Sequence, residues 1–184
     1  RWAHVMVGIM WIGTSFHFIW LDASLRRDER TPPNLAGSSW MVHGGGFYHS
    51  NKYMVAPKWL PLPENMHWSY WESYSTWLTG FGLFTVLYLF NAGTFLVDKS
   101  VYDWSAGAAI AASLAFLVVC WLVYDAICRV FGQRKNGDLV VGLCVFVFVI
   151  FASWLACQLF AGRAAFLLVG AMLATTMSAN VFFV

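Results

Sequence analysis

The chain has 184 residues, 60% of them hydrophobic and only 11% charged, with a net charge of +2. Soluble domains draw about a quarter of their residues from Asp, Glu, Lys and Arg, so this composition excludes a soluble globular domain. The near-neutral balance, with no basic tract, excludes a nucleic-acid partner.

Ten of the charges fall between Asp22 and Glu72, and the rest bound uncharged runs of 20 to 25 residues. A helix rising 1.5 Å per residue needs about 20 apolar residues to cross a hydrocarbon core of roughly 30 Å. The expected fold is an all-α integral membrane protein, with at least five transmembrane helices bundled in the lipid bilayer. Their expected positions are about 2–21, 72–91, 104–127, 139–160 and 163–184, in one membrane domain over 1–184. Both ends of the chain fall inside apolar runs, so we expect a piece of a longer protein, completed by further membrane helices or subunits. The first run reads as a retained helix, because it continues through Trp11 and Trp20 to Asp22 without a cleavage signal.

In that first helix His4, Gly8, Trp11 and Ser15 share a face. A histidine with a glycine one turn along leaves a recess beside the imidazole, which suits an axial haem ligand, with the His4 nitrogen bound to the metal. A buried histidine bonded to a neighbouring helix is the other reading of the same spacing. His17 is a candidate second haem ligand about 20 Å further along the axis. It stands roughly 140° round the helix from His4, so the two imidazoles cannot share one narrow interior.

The connection 22–71 is too long for a plain loop and is expected to be partly structured, as short or re-entrant helices packed on the membrane face. Within it His43-Gly44-Gly45-Gly46-Phe47-Tyr48-His49 sets two imidazoles around three glycines, with Lys52 behind. Glycines let backbone N–H groups approach a ligand, so Gly44, Gly45, Gly46 and Lys52 are candidate substrate contacts. A flexible turn carrying two surface histidines is the plainer alternative. His67 and Glu72 open the second helix, where Glu72, Thr76, Thr79 and Gly80 share a polar face that suits a proton path or a substrate contact. His43, His49, His67 and Glu72 are therefore the catalytic candidates.

The third helix carries the small pairs Gly107/Ala111 and Ala108/Ala112, read as helix packing. Cys120, Cys128, Cys144 and Cys157 lie in or beside the apolar runs without CxxC or CxxCH spacing, so they read as core fillers and no haem c is attached to this chain. The last helix ends in Thr175-Thr176-Met177-Ser178-Ala179-Asn180, whose polar groups, Asn180 above all, could line a cavity. Eight Lys and Arg residues fall in the two connections 22–71 and 128–138 against three on the opposite side, Arg1, Lys99 and Arg163. The positive-inside rule then puts the N-terminus outside and the histidine-rich loop in the cytoplasm.

The chain resembles the membrane-bound urate oxidases (PuuD family), whose N-terminal membrane domain is commonly followed by a cytochrome c domain. The resemblance rests on Arg1-Trp2-Ala3-His4-Val5 with Trp11-Ile12-Gly13, on Phe18-Ile19-Trp20-Leu21-Asp22, on the His43–His49 block, and on His67-Trp68 leading to Trp71-Glu72 and Thr76-Trp77-Leu78. It closes on Ala179-Asn180-Val181-Phe182-Phe183-Val184. It implies oxidation of urate to 5-hydroxyisourate, with electrons passed through haem b to a cytochrome c domain or protein across a bacterial inner membrane. The first helix is also similar to that of the HemJ and CopD membrane families, the former binding haem through a histidine so placed. The alternative is a non-catalytic accessory subunit, haem-binding or purely structural, of a larger membrane electron-transfer complex. A transporter is disfavoured, because no discontinuous helix or paired repeat is visible.

Overall fold

A computed structural model describes the whole chain except Arg30, residues 57–61, Lys135 and Val184, and the side chains of Phe182 and Phe183. Of the cations counted for topology, Arg30, Lys58 and Lys135 thus lie outside the described residues, as does the Val184 of the closing motif. The elements in order are α1 (Trp2–Ser24), β1 (Leu35–His43), β2 (Gly46–Tyr53), α2 (Trp71–Phe84), a π-helical stretch (Thr85–Leu89), α3 (Ala92–Phe95), α4 (Ala106–Phe131), α5 (Gly137–Leu159) and α6 (Gly162–Phe183). They form two compact units, Arg1–Gly8 with Tyr70–Val184, and Ile9–Ser69.

Four helices among the described residues, α1, α4, α5 and α6, are long and apolar enough to cross a membrane. The expected second span is not one of them. Its helix stops being regular at Thr85, where the Phe90 amide bonds the carbonyl five residues back at 3.1 Å, and it breaks at Asn91 before α3. The expected five long spans are corrected to four plus this interrupted run.

In the larger unit α6 packs against α2, α4 and α5. The core holds Phe84, Leu96, Phe160, Leu168 and Met172 together with a set of alanines, Ala109, Ala152, Ala156, Ala164 and Ala165, that are 0–2% exposed. In lipid, helices associate through close backbone approach at such small residues, because the tails are as apolar as Leu. On α4 the small pair that packs is Ala109/Ser113; Gly107 and Ala111 face outward and Ala108 and Ala112 are half-buried, one position off the expected faces. Indole N–H groups add cross-links: Trp104 donates to the Leu159 carbonyl at 2.7 Å and Trp77 to the Thr175 hydroxyl at 3.0 Å.

The second unit contains a β-hairpin where short or re-entrant helices were expected. β1 and β2 pair antiparallel, with His43 opposite Gly46. Gly44 and Gly45 lie between them at φ +58° and +80°. Two central residues at positive φ make the type I′ turn, whose twist matches the flanking strands. Replacing Gly45 by valine is expected to destabilise the hairpin by about 1–2 kcal/mol, seen as faster proteolytic cleavage within 44–46; unchanged cleavage would refute the turn assignment. The hairpin is tied to the end of α1 by a Ser24–Ser39 hydroxyl contact of 3.0 Å, reciprocal backbone bonds between Arg26 and Ser38 of 2.9 and 3.0 Å, and a Lys52–Asp22 ion pair of 2.6 Å. Gly37 is needed where the chain passes Leu25, because a Cβ there would stand 3.0 Å from that side chain.

Candidate functional site

His4 is half-buried on the wall of a cavity of about 580 Å³ in the larger unit. That volume lies within the range of small-molecule and cofactor pockets. The wall is built from α2, the π stretch, α4 and α6, with Phe81, Phe84, Leu87 and Phe166 supplying aromatic and aliphatic surface and Gly170 and Ala171 leaving room. Arg1 is the cationic group on it.

The imidazole is held in one orientation. Its Nδ1 lies 3.1 Å from the Thr79 hydroxyl, and that hydroxyl directs its single proton to the carbonyls of Ser75 at 2.7 Å and Thr76 at 3.1 Å. Thr79 must therefore accept, which makes His4 an Nδ1–H tautomer and leaves the Nε2 lone pair with no hydrogen-bond partner among the described residues. The recess beside the ring is made by Gly80 of α2. A Cβ at Gly80 would come within 2.9 Å of His4 Cε1, whereas one at Gly8 would meet nothing within 4 Å. Gly8, Trp11 and Ser15 do not line the cavity; Trp11 is half-buried and Ser15 exposed in the other unit.

The donor set suits a planar tetrapyrrole. There is one imidazole nitrogen with its lone pair free, a glycine clearing the space beside it, apolar rings around it, and a guanidinium on the wall that can meet a carboxylate. The cavity wall offers a single nitrogen ligand, and among the described residues no group of three His, Cys, Asp or Glu could hold a bare metal ion.

Glu72 opens α2 in the same unit, and its Oε2 is the one buried side-chain polar atom without a hydrogen-bond partner among the described residues. Thr76 bonds the Glu72 carbonyl at 2.7 Å, and Ser178 reaches the Ser73 carbonyl at 3.4 Å, so these hydroxyls are turned to backbone. Asn180 reaches the Tyr124 hydroxyl at 3.4 Å and Thr175 takes the Trp77 indole; the polar end of α6 is largely used for helix contacts.

In the second unit the strand register separates the two loop histidines. His43 pairs with Gly46 and Trp40 with His49, which puts His43 on one face of the hairpin and His49 on the other. His49 stacks on Trp40 at 4.2 Å with planes 17° apart. His43 instead lines a cavity of about 530 Å³ with His17, Trp20, Met41 and Tyr48. Gly44 and Gly45 are occupied by the turn, Lys52 by its ion pair, and His67 is exposed before α2.

A family described as urate oxidase N-terminal matches residues 1–184. No curated protein and no solved structure matches the chain.

Proposed function

Because the chain belongs to the urate oxidase N-terminal family, we propose that it is the membrane portion of a redox enzyme that oxidises urate to 5-hydroxyisourate, holds haem b on His4 and hands the electrons to a cytochrome c. The observation that carries this reading is the His4 imidazole, fixed through Thr79 with Nε2 unpartnered on the wall of an apolar cavity. A haem b bound there supplies reversible one-electron acceptance and release.

The chain's own residues supply the rest. His4 gives the axial nitrogen, and Thr79 fixes its tautomer and raises its basicity, as partners behind a metal ligand do. Phe81, Phe84 and Phe166 keep water from the cavity, and Arg1 offers a cation to a carboxylate. Urate and water give 5-hydroxyisourate with two electrons and two protons, and the unpartnered Glu72 oxygen suits uptake of one of those protons. The bias of Lys and Arg supports a bacterial inner-membrane location, with His4 toward the outer face and the hairpin on the cytoplasmic side. On that arrangement substrate is met inside and electrons leave outward.

The test is a visible difference spectrum of the purified full-length protein, reduced with dithionite and then with urate as the only reductant. Haem b bands in both are expected. Protein purified without haem would overturn the cofactor assignment, and bands raised by dithionite but never by urate would overturn the substrate.

A further inference from the structure

The Ile9–Ser69 unit holds a second cavity of different character from the one at His4. Its walls are His17 and Trp20 from α1, and Met41, His43 and Tyr48 from the hairpin. The register puts Met41, His43 and Tyr48 on one face, the face that also carries Ser39 against Ser24 of α1. The backbone pairing of Arg26 with Ser38 and the Lys52–Asp22 ion pair hold the same two elements together.

We infer that this cavity binds the purine: a planar heteroaromatic ring edged with N–H and C=O groups, taken against Trp20 and hydrogen-bonded by His17, His43 and Tyr48. Among the described residues neither imidazole, nor the Tyr48 hydroxyl, has a hydrogen-bond partner in the protein. Three groups able both to donate and to accept are thereby left free around one space of about 530 Å³. That is the chemistry a urea-like purine edge needs, and an indole face suits its ring. Arg26 and Arg27 line the neighbouring cavity, which shares Trp20, and favour an acidic purine over a neutral one. His17 thereby moves from candidate haem ligand to substrate contact, while His49, on the opposite strand face, is left out.

This assignment rests on the urate reading above, and the experiment separates the two. Binding of radiolabelled urate to the full-length protein is measured by equilibrium dialysis, without oxygen or electron acceptor so that nothing turns over. His17→Ala and His43→Ala are each expected to weaken binding about tenfold, and Phe47→Ala on the other strand face to leave it unchanged. Should a variant fail to fold, the unsubstituted protein still decides: urate should slow modification of His17 and His43 by diethylpyrocarbonate, read by mass spectrometry, and leave the rate at His67 unaltered. If urate binds but neither the variants nor the labelling respond, the purine sits elsewhere and the inference falls while the urate reading stands. If His49→Ala abolishes binding and His17→Ala does not, the site is on the outer face of the hairpin and the inference falls as well. If the unsubstituted protein binds no urate at all, the urate reading itself falls.

Discussion

His4→Ala is expected to remove essentially all haem from the purified protein, with the Soret band lost and the helix content by circular dichroism retained. The expectation is large because His4 is the one imidazole on the wall of its cavity, so nothing else there can take over as nitrogen ligand. It is specific because the ring's environment has been set for ligation: the Thr79 hydroxyl, committed as a donor to Ser75 and Thr76, accepts from Nδ1 and keeps Nε2 deprotonated. Thr79→Val tests that second step. Losing a partner behind a metal ligand typically weakens metal binding 10–100-fold, so this variant should retain haem only at raised haem concentration. An unaltered b-type spectrum in His4→Ala would end the assignment, and one in Thr79→Val would reduce Thr79 to a packing residue.

Gly80→Val should give the same loss from the other side of the ring. A Cβ at position 80 would stand 2.9 Å from His4 Cε1, 3.4 Å from Nδ1 and 3.6 Å from Nε2, so the imidazole and a side chain cannot both occupy the space. Forcing extra carbons into a packed site typically costs about 1–3 kcal/mol, and moving the ring also breaks the Thr79 bond. Haem loss with a lower Tm is expected. The clash predicts non-additivity: once His4 is alanine, Gly80→Val should destabilise far less, since the atoms it collides with are gone. Equal Tm losses in both backgrounds would show that residue 80 does not press on the ring.

How far these features are legible in sequence differs element by element. The apolar runs are plain because charges are scarce, and three of the expected spans coincide closely with α4, α5 and α6. The run after Glu72 looks equally apolar, but composition does not register a π stretch or the break at Asn91. Periodicity placed Glu72, Thr76, Thr79 and Gly80 on one face, and it singled out His4. What it could not supply is that Thr79 and Gly80 meet His4, a contact 75 residues apart in the chain. The recess was therefore sought at Gly8, on the same helix, when a neighbouring helix provides it.

The hairpin was missed for a different reason. Three glycines between histidines invited a ligand-binding reading, although consecutive glycines flanked by aromatic and β-branched residues are also the signal of a two-residue type I′ turn. Once the turn is fixed at Gly44-Gly45, strand parity follows, and with it the separation of His43 from His49. The grouping of His17 with His43 could not be read from spacing, because it depends on how the hairpin folds back on α1 through Ser24, Arg26 and Asp22.

The π stretch at Thr85–Leu89 also bears on how related chains should be aligned. Its wider turn holds one residue more than an α-helical turn, so deleting a single residue there could restore a regular helix and leave local hydrogen bonding intact. Everything beyond would then be rotated by about 100°. Phe84 would keep its place in the core, while Ala92 and Leu96 would be carried off the face they now bury. A one-residue gap at this point, which substitution scoring treats as minor, is thus a phase error for the helix, and chains lacking the extra residue should carry their small and large core positions one step out of register beyond it.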